Sequence, residues 1–268
     1  MIAFNNKPLH IFSALVLSAS LSSCATIPGE RDPRDPWEPM NRTVFKFNEA
    51  ADKAVVKPVA KAYRLVTPKF VRAGVTNFFG NINDVSVFFN DLFQGKGQRG
   101  VAGAGRVIIN TTFGLGGLID VAGAAGIPKQ NEDFGQTLGF YGVGPGPYWT
   151  LPLLGPSTVR DAGGRVLDTF LTPTIYLINN GNVSLGLTAL EAVNLRSNLL
   201  ETDKVLEEAG AIDRYSFLRD SFLQRREVLI YDGNPPKKDG DDDFVFDDEV
   251  KAGKPSAAAP APAPAPKK

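Results

Sequence analysis

The chain has 268 residues, with 29 lysines and arginines against 29 aspartates and glutamates, one histidine and one cysteine. This balanced charge, without a basic stripe that carries aromatic residues, argues against nucleic acid as a partner. A single cysteine excludes an intramolecular disulfide, and the one histidine, His10, falls in a segment that we predict to be removed. Without an imidazole, the mature chain has no Ser-His-Asp triad and no histidine-ligated zinc site, so we expect no enzymatic activity.

The N-terminus has the pattern of an export signal. Lys7 and the chain amino group precede an apolar run over Leu9–Leu21, and small residues follow it. The segment ends on Ser22-Ser23-Cys24, the pattern at which a bacterial lipoprotein is cut and its cysteine lipidated. We therefore predict a signal peptide over residues 1–23 and an acylated Cys24 at the mature N-terminus. The alternative is an ordinary secretory signal beside an unrelated cysteine.

An acylated Cys24 anchors the protein to a membrane, because each buried methylene contributes roughly 0.8 kcal/mol and two or more acyl chains bind stably. Ala25 stands where an aspartate would suggest retention in the inner membrane, so the sorting rule for bacterial lipoproteins favours the outer membrane. Residues 24–39, which include a proline-rich stretch, are predicted to form a lipidated spacer. We expect no cofactor beyond this covalent lipid and no metal.

Residues 40–234 show helical periodicity, and we predict that this body is all-α. The clearest apolar stripe at helical spacing consists of Val85, Phe88, Phe89, Leu92 and Phe93. Gln94-Gly95 follows it as a stop signal. A preceding helix is predicted around Pro68–Ile82, with Gly80-Asn81 as the break. Two further long helices are predicted, over Thr188–Ala209 and from Tyr215 to Leu229.

Glycine is concentrated in the middle of the body, where 15 of the 27 glycines lie between Gly95 and Gly146. Glycine costs about 1 kcal/mol relative to alanine inside a helix, so this density predicts turns, close packing or mobility. A nucleotide-binding loop is the alternative. It is disfavoured because Gly114-x-Gly116 has Ile119 where the third glycine should fall, and no strand precedes it.

Charge is sparse between Phe134 and Leu190. The charged residues in this stretch are Arg160, Asp161, Arg165 and Asp168. Prolines and glycines prevent the uncharged Phe134–Val159 from forming a membrane-spanning helix. Two interpretations remain: a buried core with long loops, or a body partly immersed in lipid. The predicted anchor favours partial immersion.

The composition changes again after Asn234. Residues 235–268 consist of Pro-Pro-Lys-Lys, an acidic stretch through Glu249 and an Ala-Pro repeat. Alternating alanine and proline cannot bury a core, so we predict a disordered, extended tail. Its aspartate runs lack the spaced ligands and the turn glycine of a calcium loop.

Short motifs spread over residues 35–231 carry a family resemblance. They are Asp35-Pro36-Trp37-Glu38, Asn41-Arg42-Thr43-Val44-Phe45, Lys57-Pro58-Val59-Ala60, Asn110 through Ala122, Glu132 through Gly139, Tyr141 through Tyr148, and Leu151 through Ser157. On these motifs the chain resembles the MlaA (VacJ) family of outer-membrane lipoproteins. The resemblance covers essentially the whole body and does not extend to the tail.

The resemblance implies a ring of amphipathic helices, embedded in the outer membrane from the periplasmic side, around an amphipathic channel. Members of the family remove mislocalised phospholipids from the outer leaflet and so maintain the lipid asymmetry of the outer membrane. The partners it implies are phospholipids, trimeric outer-membrane porins and a periplasmic lipid carrier of an ABC-transporter system.

Two sets of candidate site residues follow. In the family a glycine-bearing hairpin gates the channel, and glycine tolerates the backbone changes that a gate requires. The corresponding hinge candidates are Gly142, Gly144 and Gly146, with a plain tight turn as the alternative. The candidates for charges that face lipid headgroups are Arg160, Arg165 and Asp168, with mutual ion pairing as the alternative.

Two other functions remain open at this point. The chain could be a structural envelope lipoprotein that tethers the outer membrane without lipid transport, with its Ala-Pro tail reaching the cell wall. A lipase is disfavoured, because the mature chain has no histidine and no Gly-x-Ser-x-Gly elbow.

Overall fold

The computed structural model describes residues 32–173, 178, 180–208 and 213–236, without the side chains of residues 204–208. The predicted signal peptide over 1–23, Cys24 and the tail from residue 237 lie outside the described residues. The chain divides into two units, Met1–Asn234 and Pro235–Lys268. The elements below belong to the first unit.

The described part of this unit is mostly helical. The helices are α1 (Glu38–Ala51), α2 (Lys57–Val66), α3 (Lys69–Phe93), α4 (Gly97–Phe113), α5 (Val121–Ala124), α6 (Phe134–Phe140), α7 (Val159–Leu171), α8 (Gly181–Glu208) and α9 (Arg214–Ile230). Two strands, β1 (Tyr148–Leu151) and β2 (Gly155–Thr158), pair antiparallel with Tyr148 opposite Thr158. The mostly helical body agrees with the predicted helical fold class, to which this hairpin adds one small sheet that the sequence did not predict.

The hairpin forms because α1 supplies partners for the backbone of β1. The Asn41 amide donates to Tyr148 O at 3.0 Å and accepts from Thr150 N at 2.9 Å. Asn48 repeats this pattern at the far end, donating to Leu151 O at 3.0 Å and accepting from Leu153 N at 2.8 Å. The two asparagines thus pair with backbone groups as a third strand would.

The N-terminal leader contacts the helical body from Asp32 onward, through the ion pair of Asp32 with Arg219 and the hydrogen bond from Tyr148 N to Arg34 O. Asp35 is fully buried. Its carboxylate accepts hydrogen bonds from the Tyr215 hydroxyl and from the Asn41 amide, the latter at 2.8 Å. Because an unpaired buried carboxylate is costly, these two partners hold the leader against α1 and α9.

The predicted helix stop at Gln94-Gly95 is confirmed. Helix α3 ends at Phe93, Gly95 adopts a φ of 72°, and Lys96 N donates to Asp91 O at 2.8 Å. A left-handed glycine just after the last turn ends helices in this way. The two long C-terminal helices predicted from periodicity are also present, as α8 and α9.

The predicted break at Gly80-Asn81 is wrong, because α3 runs through it without interruption. The carbonyl of Gly80 accepts a hydrogen bond from Lys129 Nζ at 3.0 Å, and a Cβ at Gly80 would lie 2.9 Å from that nitrogen. The Asn81 amide donates to Thr111 on α4 at 2.9 Å. Both residues therefore serve contacts with neighbouring segments instead of ending the helix.

The interior of the body is polar. On α4 the buried residues are Gly100, Gly103, Arg106 and Asn110. The opposite face exposes apolar side chains, with Val101 at 72% and Ile108 at 64%. Helix α7 has the same arrangement: Arg160, Asp161 and Gly164 are buried, while the exposed residues include Val166, Leu167 and Phe170.

Ion pairs neutralise the buried charges. The guanidinium of Arg106 is almost fully buried and lies 3.2 Å from Asp84 and 3.0 Å from Asp120. It also donates to Ile127 O at 2.7 Å. Buried charges persist only when they are paired in this way. No helix within the described ranges is long and apolar enough to cross a membrane.

Candidate functional site

A cavity of about 190 Å³ lies between α3, the C-terminal end of α7 and the N-terminal half of α8. The described residues that line it are Phe79, Ile82, Asn83, Thr172, Ile178, Ser184, Leu187, Thr188 and Glu191. An apolar cavity of about 150 Å³ is large enough to bind benzene, so this one has room for a lipid headgroup or a chain segment. Its lining is mixed, with aromatic, aliphatic, hydroxyl and carboxylate groups.

Of the described residues that line the cavity, Glu191 is the one with a charged side chain. Glu191 is exposed, and partial desolvation of its carboxyl by the surrounding protein raises the pKa of that group. Within the described ranges this carboxylate has no ion pair and no hydrogen bond. Residues 169–190, which include the whole connection from α7 to α8, contain no lysine or arginine.

The threonine hydroxyls of the cavity are already committed as donors. Thr172 Oγ1 donates to Asp168 O at 2.9 Å, and Thr188 Oγ1 donates to Ser184 O at 3.0 Å. A hydroxyl has one proton and two lone pairs. What these oxygens still offer is therefore acceptor capacity, the same capacity that Glu191 offers.

The loop over residues 141–147 contains the three hinge candidates. Gly142 has a φ of 84° and follows α6, where Val143 N donates to Leu138 O at 3.0 Å, a left-handed helix end. Gly146 has a φ of 66°, and a Cβ there would lie 3.3 Å from Val159. Gly144 has an ordinary φ and open space around it. Turn geometry thus explains Gly142 and Gly146, while nothing in the described packing requires glycine at 144.

Arg160 fastens this loop to α7. Its Nη1 donates to Val143 O and its backbone N donates to Pro145 O, both at 3.1 Å. The guanidinium is buried and lies 3.0 Å from Asp161, which in turn accepts from Arg226 at 2.9 Å. Arg160 therefore contacts the loop and the interior, and does not line the cavity.

The two other charge candidates lie in different environments. Asp168 is half-buried and accepts hydrogen bonds from Ser86, from Asn90 and from Phe134 N at the start of α6. Burial raises the pKa of the Asp168 carboxyl, although the hydrogen bonds that it accepts act to lower that pKa. Arg165 is exposed on α7 beside Val166 and Leu167, and has no ion pair within the described ranges. The structure does not bring the three charges together.

A second buried cluster joins the end of α3 to α4 and the segment before α6. Asp91 is fully buried and lies 3.2 Å from Arg99 Nε, yet neither of its carboxylate oxygens accepts a hydrogen bond within the described part. Desolvation consequently raises the pKa of Asp91 from 3.8 to about 6, although Arg99 opposes the shift. Arg99 and Lys96 also pair with Glu132, at 2.6 Å and 3.2 Å.

Cys24, the predicted lipidation site, lies outside the described residues. Among the described residues no group of three or more histidine, cysteine, aspartate or glutamate side chains could hold a metal ion. Sequence reasoning did not select Glu191, although one signal was available. It is the first charged residue after the 22 uncharged positions that follow Asp168.

Taken together, the fold and the site define a mostly helical protein with a polar interior, an apolar exterior and a small mixed cavity. The chain belongs to the MlaA lipoprotein family, whose sequence model matches residues 33–229. It is 36% identical to the intermembrane phospholipid transport system lipoprotein MlaA of Escherichia coli K12, over 89% of this chain and 96% of that protein. The Haemophilus influenzae protein of the same name is 31% identical, over 85% and 92% of the two chains.

A solved structure agrees with this assignment. It comes from work on the structural basis for maintenance of bacterial outer membrane lipid asymmetry. It matches with a TM-score of 0.66 and 37% identity, covering 75% of this chain and all of that one. An uncharacterised protein of Rickettsia bellii is 35% identical over 77% of this chain and 80% of its own length.

Proposed function

We propose that this chain is an outer-membrane lipoprotein that removes mislocalised phospholipids from the outer leaflet and passes them to a periplasmic carrier. This activity maintains the lipid asymmetry of the membrane. Relatives that the chain matches over most of their length are named as intermembrane phospholipid transport lipoproteins. The chemistry required is movement and not bond breaking, which fits a mature chain without histidine.

The observation that carries the proposal is the inverted distribution of side chains. Among the described residues, buried polar side chains outnumber buried apolar ones, and large apolar side chains lie exposed on nearly every helix. Leu65 is 87% exposed and Phe70 is 78% exposed. Water-soluble proteins rarely leave so much apolar surface open. This distribution supports a body immersed in the periplasmic leaflet of the outer membrane and held there by the acyl chains on Cys24.

A phospholipid needs a polar path for its headgroup and an apolar wall for its tails. The polar interior and the cavity beside α8 supply the polar path, and Phe79, Ile82 and Leu187 supply part of the apolar wall. The proposed path is a channel inside the helical ring, gated by the 141–147 loop. Trimeric porins and the periplasmic carrier of an ABC-transporter system are the proposed protein partners.

Deletion of the gene followed by complementation tests this function. We expect phospholipid in the outer leaflet, measured with a membrane-impermeant amine-reactive label, to rise in the deletion strain and to return to normal with the full-length chain. A chain truncated after Asn234 should also restore asymmetry. Unchanged outer-leaflet phospholipid in the deletion strain would refute the proposal, and envelope damage with normal asymmetry would favour a structural tether.

A further inference from the structure

The cavity beside α8 has a chemical preference that lipid transport alone does not require. We propose that Glu191 and its cavity form a subsite for the primary ammonium group of a zwitterionic aminophospholipid, so that the protein favours such lipids over anionic ones. This inference rests on the proposed function, because it assigns a headgroup class to the lipid that the cavity admits.

The first step of the argument is the uncompensated carboxylate. Glu191 lines the cavity without an ion pair or a hydrogen bond within the described ranges. The buried carboxylates of Asp84 and Glu132 lie within 3.2 Å of a cationic side chain, whereas Glu191 is exposed and has no such partner within the described ranges. A carboxylate beside a cavity that lacks a cationic partner is open to a ligand that brings one.

The second step is the hydrogen-bonding capacity of the other polar side chains that line the cavity. Thr172 and Thr188 use their hydroxyl protons on backbone carbonyls, so their oxygens face a ligand as acceptors. A primary ammonium group carries three donors and no acceptor. The threonine oxygens and the carboxylate therefore match an ammonium group. Asn83 and Ser184 also line the cavity, and their side chains make no hydrogen bond within the described ranges, so they offer donors to the phosphate of the same headgroup. A headgroup whose net charge is negative is repelled by the carboxylate.

The third step is the apolar part of the lining. The Phe79 ring lines the same cavity as Glu191, and aromatic faces attract cations. A divalent cation fits less well, because one carboxylate supplies too few ligands for calcium or magnesium. The cavity volume of about 190 Å³ suits a headgroup rather than a whole two-tailed lipid.

The test uses the full-length acylated chain, incubated with vesicles that contain equal amounts of phosphatidylethanolamine and phosphatidylglycerol. Lipids bound to the repurified protein are then quantified by mass spectrometry. We expect the wild type to retain phosphatidylethanolamine in preference, and Glu191→Gln, which keeps the shape but removes the charge, to lose about tenfold of that preference. Glu191→Lys should reverse the preference towards phosphatidylglycerol.

Glu201→Gln is the matched control, because it makes the same charge change on the same helix at an exposed residue that pairs with Arg64. It should keep the wild-type ratio. If both Glu191 variants keep the wild-type ratio of phosphatidylethanolamine to phosphatidylglycerol, the subsite is overturned while lipid transport still stands. The subsite is also overturned if Glu201→Gln loses as much of the phosphatidylethanolamine preference as Glu191→Gln does. A wild-type protein that retains no phospholipid at all would overturn the proposed function together with the subsite.

Discussion

Helices α6 and α7 cross closely, and this crossing gives a sharp prediction for Gly163 and Gly164, two consecutive glycines of α7. A Cβ added at Gly164 would lie 2.3 Å from Gly135 N and 2.7 Å from Gly135 Cα. These are backbone atoms, so no side chain can move aside to make room. A Cβ added at Gly163, one position earlier in the same helix, meets nothing within 4 Å.

The two substitutions should therefore change the free energy of unfolding in opposite directions. Gly163→Ala is expected to stabilise by about 0.5–1 kcal/mol, since alanine restricts the unfolded chain and favours helix. Gly164→Ala brings the same benefit but forces two helices apart, and overpacking costs typically about 1–3 kcal/mol. Because the obstacle is backbone, we expect a cost at the upper end and a net destabilisation of about 2 kcal/mol.

Thermal unfolding of the purified protein in detergent micelles, followed by circular dichroism, measures this difference. For a domain of this size, Gly164→Ala should lower the Tm by about 4–8 °C, and Gly163→Ala should raise it by up to about 4 °C. Equal Tm values for the two variants would refute the close crossing of α6 and α7. The crossing matters for function because α6 leads into the 141–147 loop and Arg160 of α7 is hydrogen-bonded to it.

Two other predictions concern the buried carboxylate and the loop. The native state holds the proton of Asp91 up to about pH 6, so ionisation costs the native state about 3 kcal/mol as the pH rises from 4 to 6. Asp91→Asn should accordingly raise the free energy of unfolding at pH 7, measured by chemical denaturation, and lose that advantage below pH 4. If the free energies of unfolding of Asp91→Asn and the wild type differ by the same amount from pH 4 to pH 7, the raised pKa of Asp91 is contradicted. Gly142→Ala should destabilise by about 1 kcal/mol because of its positive φ. Gly144→Ala should leave the Tm unchanged, and if position 144 is a hinge it should still slow lipid removal in cells.

Local signals predicted α3, α8 and α9 among the described helices. The Gln94-Gly95 stop was recoverable because a left-handed glycine at a helix end is a local property. The predicted break at Gly80-Asn81 was wrong, because these two residues contact Lys129 and Thr111 inside a continuous α3. These partners lie 49 and 30 residues further along the chain, beyond the reach of a local rule.

The hairpin and the site depend on contacts of longer range. Strand β1 has four residues, too few for a clear alternation, and its edge pairs with Asn41, which lies 107 residues before Tyr148. In the sequence Arg160 is one of few charges in a long uncharged stretch. Its hydrogen bonds to the 141–147 loop depend on the packing of α7 against that loop, which the sequence does not show. Glu191 gains its significance from a cavity that forms between α3 and α8, and periodicity along α8 does not show it.

Site-specific photocrosslinking in living cells tests the central claim most directly. A photoreactive residue at Leu187, which lines the cavity, is compared with one at Leu185, which lies on the same helix and is 70% exposed. If phospholipid passes through the cavity, mass spectrometry should find phospholipid adducts at position 187 as well as at 185. Adducts at 185 with none at 187 would contradict the account, because the body would then contact lipid only on its outer surface.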